Sequence, residues 1–529
     1  MAGLFTPSAL SVLWRAGVVD PRQAVALIAT TPQLAGRGPS LGILSQINAR
    51  SVGAKPAIHD RHGTLTWREL DGRANRLARA LVGMGMRPGE AVATLLRNGR
   101  EIVEVLLAAQ KAGLAFSPLN TWAAEPELRA ALAGARPRVI VADPRHAGPV
   151  LAPGDGKVQV VVTGTDPGGA SSYEALLAAR PPRPVFPVAR RRGARIVVHT
   201  SGTTGRPKGA TRDAGTQSPQ ALVRLLAVIP LHRRDVILCP APLFHSFGLL
   251  AVTLGTLVGA TFVLPDRFDP RESLSLIDRH GVTALVAVPV MLHRITSQPE
   301  AEGAGRGSMR IVLSGGSALG PELGQRVTER FGPVAYDLYG STEAGWVAVA
   351  TPEDVAARPG SVGRPIPGVE VSIVDPDGRR LGPGESGHIE VRGEGLFEGY
   401  LDAPAGETVV TGDLGRLDED GFLWVEGRAD DLIVVGGENV RPAEIEAVVA
   451  GVEGVEEVAV GGLRDPEYGH VPAAFVVGTA PEERILDACR SALASFKVPR
   501  RIVRLGGLPR TATGKVLVRT LVAELEEKE

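Results

Sequence analysis

The chain has 529 residues and balances 58 Lys+Arg against 58 Asp+Glu, so it carries no formal net charge and its bulk electrostatics point away from nucleic acid or an anionic membrane as partner. That length allows three or four ordinary domains or fewer large ones, while 44% hydrophobic residues with 65 Gly and 41 Pro lacking any period exclude collagen-like and wholly disordered chains. The two cysteines, Cys239 and Cys489, stand far apart in apolar surroundings, which gives neither a disulfide framework nor metal-ligand spacing and suits a reducing, cytoplasmic setting.

In chain order, the N-terminus lacks a basic region and a small-residue cleavage site, so it does not read as a signal peptide. Leu10, Leu13 and Trp14 form a short apolar face, expected to dock on the domain, with weak peripheral membrane contact as the alternative. From about residue 56 to 345, short runs rich in valine and isoleucine alternate with helical patterns, which predicts parallel sheets wrapped by helices. Thr66 and Glu69 make a capping box, and the helix it opens places Leu70, Ala74, Leu77, Ala78 and Leu81 on one face before Gly83. Strands are predicted at Ala91 to Leu96, Arg138 to Ala142, Val158 to Val162, Arg195 to His199, Val236 to Cys239, Ala284 to Val288 and Arg310 to Leu313. A basic run, Arg190, Arg191, Arg192 and Arg195, is expected to be a solvated loop.

Residues Leu243 to Pro265 carry no formal charge and are long enough to cross a bilayer. Gly248, Gly255 and Gly259 interrupt the stretch, so a buried helix followed by a core strand from Ala260 to Leu264 is predicted instead. From Ser361 to Glu426 the rhythm changes to alternating strands with turn signals such as Asp375-Pro376-Asp377-Gly378. After Gly427-Arg428-Ala429-Asp430-Asp431 a compact α+β unit begins. The expected organisation is therefore α/β: residues 1–428 as a large domain of parallel sheets with a β-rich subdomain at about 360–428, and 429–529 as a small mobile α+β domain.

The strongest local signal is Val197 to Gly209, where an apolar strand runs into Thr200, Ser201, Gly202, Thr203, Thr204 and Gly205 and then Arg206-Pro207-Lys208-Gly209. Small residues let backbone N–H groups approach phosphate oxygens, and Lys208 adds a cation. The spacing is not that of a Walker loop, because Gly209 stands where the magnesium-binding hydroxyl would be.

With this loop the chain resembles the adenylate-forming enzymes, which include acyl-CoA synthetases, firefly luciferase and the adenylation domains of peptide synthetases. Tyr339-Gly340-Ser341-Thr342-Glu343 is similar to the family's second signature and Thr411-Gly412-Asp413-Leu414 to its third. Gly427 to Asp431 with Gly436-Gly437-Glu438-Asn439 is similar to the hinge segment, and Pro509 to Lys515 to the lysine-bearing C-terminal loop. The resemblance implies an ATP-dependent ligase that uses Mg2+ and CoA and forms an acyl adenylate before the thioester. It implies Thr200 to Gly205 and Lys208 for the pyrophosphate, Thr342 for the α-phosphate and Glu343 as magnesium ligand, a hard oxygen donor suited to that ion. It also implies Asp337, Tyr339 and Gly340 at adenine, Asp413 and Arg428 at the ribose, and Lys515 as the adenylating cation. Asp430 is implied as the hinge, and Gly436 and Gly437 as walls of the CoA channel. Each of these residues, taken alone, has an ordinary structural role; their common order along the chain carries the reading.

Amino-acid-activating relatives place an aspartate just after an aromatic residue where this chain has Phe244-His245, and a buried ammonium would lack its partner there. A simple carboxylic acid is expected, with His245 gating the route to CoA. The segments around Gly248, Gly315, Gly316 and Gly345 are small or apolar and make a medium- or long-chain fatty acid the first choice, with an aryl acid as alternative. Two other readings stand beside it: a ligase that loads a carrier protein, and a non-catalytic adenylate-binding protein. His199, Ser317-Ala318 and the short stretch between Tyr400 and Thr411 depart from the family pattern without removing a catalytic group.

Overall fold

The computed structural model describes residues 7–18, 40–123, 125–146, 158–164, 171–185, 195–200, 208–213, 219–299, 307–341, 344–393, 399–400, 403–404, 408–435, 438–466, 468–511 and 514–527. The chain divides into two compact units, Met1–Glu370 with Arg392–Val409, and Val371–Val391 with Val410–Glu529.

The first unit holds two large sheets. One runs in the order Arg364–Pro365, Gly345–Ala350, Ala335–Ser341, Ile311–Gly315, Ala284–Val286, Val236–Leu238, Thr261–Val263, Pro56–Asp60 and Gly63–Thr66. It is parallel from Ala335–Ser341 through to Pro56–Asp60. The other runs Ala403–Pro404, Gly399–Tyr400, Lys208–Asp213, Arg195–Thr200, Ala115–Pro118, Ala91–Leu95, Val139–Ala142, Gln159–Val162 and Ser171–Ser172. Its strands are parallel from Arg195–Thr200 onwards. The predicted α/β fold and strand positions are therefore found, with ends differing by a residue or two.

Local chemistry explains the helix between the sheets. Thr66 Oγ1 accepts from the Glu69 N–H at 3.3 Å while the Glu69 carboxylate accepts from the Thr66 N–H at 2.8 Å, opening the helix Trp67–Gly83. Its Leu70, Ala74, Leu77, Ala78 and Leu81 are buried in one cluster with Val92, Phe116 and Val139 of one sheet and Ile58, Ile237 and Phe262 of the other. This helix layer thus packs against both sheets, burying apolar surface worth about 25 cal/mol per Å².

The uncharged stretch resolves into the buried helix Ser246–Val258 and the strand Thr261–Val263. Gly255 lets this helix close on Phe262, because a Cβ there would lie 2.4 Å from the ring, and Gly259 ends it at φ +74. Among the described residues no helix is long and apolar enough to cross a membrane. At the N-terminus, the helix Pro7–Arg15 turns Ala9, Val12 and the following Ala16 inward, while Leu10 is exposed and Trp14 is 68% exposed. The expected docking face of Leu10, Leu13 and Trp14 is corrected accordingly: small residues at helical spacing fit the contact, and only Leu13 keeps a partial share of it.

The second unit carries most of the sheet of Val369–Val374, Gly387–Gly393, Thr408–Leu417 and Leu423–Arg428. It also carries the sheet Glu438–Val440, Ile433–Val435, Gly469–Gly478 and Val455–Asp465, with Arg501–Arg504 beside Gly469–Gly478. Helices Pro442–Ala450 and Glu482–Ala492 bury Ile445, Val449, Ile485 and Cys489 against it. Cys239 and Cys489 are both free and buried, so burial pushes both thiols up, Cys239 to about 12.

Candidate active site

In open α/β sheets, ligands bind beyond the carboxyl ends of the strands. Ile311–Gly315 and Ala335–Ser341 are parallel neighbours in the first unit, with Ser314 opposite Asp337 and Gly315 opposite Leu338. Asp337 is buried, and its Oδ1 has no hydrogen-bond partner. Burial pushes its carboxyl up to about 6, against the opposing pull of the Ser314 hydroxyl and the Leu319 N–H. An orphaned buried acceptor of this kind is strongly unfavourable until a donor reaches it.

Tyr339 and Gly340 follow on the same strand, antiparallel to Gly345–Ala350. Glycine at 340 is dictated by close approach, since a Cβ would lie 2.2 Å from the Gly345 carbonyl oxygen. The Ser341 hydroxyl accepts from the Ala344 N–H at 2.9 Å across positions 342 and 343. Thr342 and Glu343 themselves lie outside the described residues, as do Ser201, Gly202, Thr203, Thr204, Gly205, Gly436 and Gly437. Thr200 and Lys208 are placed by their backbone alone: they pair across the antiparallel strands Arg195–Thr200 and Lys208–Asp213, so the glycine-rich loop is the connection of that hairpin.

His245 precedes the helix Ser246–Val258. Burial pulls its imidazole down to about 4, so the ring is neutral at physiological pH, and its Nε2 has no partner. The Phe244 ring lies against it at 4.5 Å, tilted by 51°, and Trp122 meets Phe244 edge-on at 5.6 Å. Trp122, 58% exposed, was not found from the sequence, because nothing local marks an isolated loop tryptophan.

The glycines differ in role. A Cβ at Gly248 would lie 2.4 Å from the Pro242 carbonyl oxygen, so this glycine seats the helix on the segment before it. A Cβ at Gly315 would lie 2.7 Å from the Phe247 ring, and one at Gly316 would touch Val288 at 3.6 Å. Gly345 turns at φ +71. Phe247 therefore fills part of the space that the small residues suggested.

The segment carrying Phe244 and His245 is held by a residue that the sequence reading missed. Asn98 is buried just beyond the strand Ala91–Leu95 of the other sheet. Its amide donates to the carbonyls of Cys239 at 3.2 Å and Ala241 at 2.9 Å, and its Oδ1 accepts from the Leu243 N–H at 2.9 Å. An amide residue in the short turn after an apolar strand was the available signal.

In the second unit, Asp413 and Arg428 are directly opposite across antiparallel strands, with Arg428 Nη1 3.2 Å from Asp413 Oδ1. The structure thus brings together the two residues expected at one sugar. Gly412, at φ +77, lies under the guanidinium: a Cβ would come within 3.1 Å of it. Lys515 is exposed at a tight turn, where the Thr511 N–H donates to the Lys515 carbonyl at 2.7 Å and the Lys515 N–H to Thr511 Oγ1 at 3.1 Å. Arg510 braces that turn through the Gly514 carbonyl at 2.7 Å and Glu457 at 2.8 Å. Asp430 lies in the short helical turn Ala429–Asp431.

An α/β unit of parallel sheets and a smaller unit carrying the Lys515 turn define an architecture, and comparison with known proteins identifies its class. The AMP-binding enzyme family matches residues 45–401, and its C-terminal domain matches residues 444–515. The chain belongs to the AMP-binding enzyme family, and its named relatives place it among the AMP-forming acid–thiol ligases. The chain is 36% identical over 502 residues to the indoleacetate–CoA ligase of Aromatoleum aromaticum, covering 91% of this chain and 98% of that protein. It is 31% identical to the long-chain-fatty-acid–CoA ligase FadD13 of Mycobacterium tuberculosis, covering 86% and 92%. Among solved structures, the anthranilate CoA ligase AuaEII in complex with anthranoyl-AMP matches with a TM-score of 0.85 and 27% identity, over 93% of this chain and 98% of that one.

Proposed function

We propose that the protein activates an apolar carboxylic acid with ATP as an acyl adenylate and transfers the acyl group to CoA. The observation that supports this best is the buried Asp337 oxygen without a donor, on the strand that leads to the Tyr339 signature. An adenine amino group supplies the missing hydrogen bond. Asp413 accepts from the ribose diol beside Arg428, and Thr200 to Gly205 with Lys208 receives the pyrophosphate as charge develops. Thr342 donates to the α-phosphate, and Glu343 holds the magnesium that accompanies ATP. Lys515 neutralises charge during adenylation; the turn around Asp430, which falls within the second compact unit, serves as hinge, and Gly436 and Gly437 line the path of the thiol in the second half-reaction.

For the acid, an aryl or arylalkanoic carboxylate is the reading we favour. Phe247 closes on Gly315, the Phe244 and His245 rings meet at a tilt, and the relative named for indoleacetate is more similar than the one named for a fatty acid. A fatty acid is the second reading, supported by the small, apolar segments at Gly248, Gly316 and Gly345 and by the FadD13 relative. The neutral imidazole of His245 argues against an amino acid, whose ammonium would find no anion there. ATP–pyrophosphate exchange across indoleacetate, ferulate, decanoate, palmitate and amino acids, followed by addition of CoA or a phosphopantetheinylated carrier, tests the proposal. Exchange confined to amino acids, or none with any acid, overturns it.

A further inference from the structure

At the amino ends of the strands Ala91–Leu95, Ala115–Pro118, Val139–Ala142 and Arg195–Thr200 there is a cavity of about 430 Å³. It lies at the opposite end of Arg195–Thr200 from the glycine-rich connection. Its floor is apolar, formed by Ala91, Ala115 and Val197, which pack as a small buried cluster. Val158, an exposed valine, extends the apolar wall. Around this floor stand Arg136, Arg138 and Arg195.

The charges there are poorly matched. Among the described residues Glu90 is the one carboxylate lining the cavity, and it stands 3.8 Å from Arg138. Among the described residues, the side chains of Arg136 and Arg195 have no hydrogen-bond or ion-pair partner. Arg136 is also the only non-glycine with a positive φ among the described residues, at 44°. Arg136 ends the helix Glu125–Ala135 in this left-handed conformation, its N–H donating to the Leu132 carbonyl at 2.9 Å, and the helix end thereby fixes where its side chain starts at the rim. Arg195 is the last member of the basic run noted in the sequence; there it reads as solvated, whereas the fold sets it on the cavity wall.

We propose that this cavity binds an amphipathic anion, with a carboxylate or phosphate head held by Arg136 and Arg195 and an apolar portion against Ala91, Ala115 and Val197. Guanidinium groups match both heads by paired N–H donors, and the unbalanced positive charge favours an anion over a neutral molecule. The site is separate from the residues assigned to adenylation, and its existence does not depend on the substrate reading.

Calorimetric titration of the full chain with decyl phosphate, decanoate, decanol and inorganic phosphate tests it, in wild type, Arg136→Gly and Arg195→Gln. One or both of the ten-carbon anions bind wild type, with decanol and inorganic phosphate weaker by about tenfold or more. The tighter of the two anions identifies the head group. Each substitution weakens that anion by about tenfold and leaves ATP affinity unchanged. Arg136→Gly suits the left-handed helix end, so it melts no lower than wild type, which separates lost binding from lost folding. Unchanged anion affinity in both variants overturns the proposal, as does inorganic phosphate binding as tightly as decyl phosphate, or no binding by either anion.

Discussion

Asn98→Ala tests how the segment bearing Phe244 and His245 is held. The side chain makes three hydrogen bonds, at 2.9 to 3.2 Å, to backbone groups of Cys239, Ala241 and Leu243. All three of those residues are buried, so water does not replace the lost partner. At about 1 kcal/mol net per bond, and more where a buried group is left unsatisfied, the substitution costs about 3 kcal/mol or somewhat above. If that loss falls on local opening, protection of the Leu243 amide drops by about two orders of magnitude. Hydrogen exchange read by mass spectrometry over residues 239–247 measures it, alongside kcat/KM for the acid, which falls while the KM for ATP holds. Asn98→Asp keeps the acceptor for Leu243 but turns a carboxylate toward two carbonyls, so it does not rescue. Wild-type exchange at Leu243 in a folded Asn98→Ala protein would refute the clamp.

Asp337 has a folded-state pKa raised to about 6, so between about pH 4 and 6 the folded protein holds a proton that the unfolded chain has released, and stability falls as pH rises through that window. Asp337→Asn removes this loss: without nucleotide it is more stable than wild type at pH 7.5 by up to about 3 kcal/mol and about equal at pH 4, with weaker ATP binding, as denaturant titrations at the two pH values show. His245 behaves oppositely, since its pKa is lowered to about 4; its contribution is present above pH 6.5 and is lost as pH falls toward 4, and His245→Gln flattens that acid limb of the melting profile. Asp413→Ala raises the KM for ATP while changing stability by less than about 1 kcal/mol, because its partner Arg428 is one-third exposed; equal KM values in variant and wild type would count against the ribose role. Lys515→Ala leaves the fold intact, lowers pyrophosphate exchange by up to about a thousandfold, corresponding to a charge contact of about 4 kcal/mol, and spares thioester formation from supplied acyl adenylate. Asp430→Pro shows the reverse pattern, and parallel loss of both half-reactions in either variant contradicts the division of labour.

What the amino-acid sequence determined by itself is whatever depends on neighbours along the chain. The capping box at Thr66 and Glu69, the apolar face from Leu70 to Leu81, and the helix and strand within the uncharged stretch all follow from spacing or local composition, while the ordered signatures around Tyr339, Asp413 and Lys515 are legible in the sequence through its resemblance to a family. The tertiary structure decided matters that join distant residues. Asn98 reaches the 239–243 segment across more than 140 positions, Phe247 takes the room beside Gly315, and Arg195 leaves its basic run to wall a cavity. Asp413 and Arg428 are a middle case: each was marked by its motif, but strand register made them a pair. The physical reason is that secondary structure answers to the 3.6- and 2-residue periods of a single segment, whereas burial, orphaned polar atoms and shifted pKa values exist only once separate segments close the same space to water.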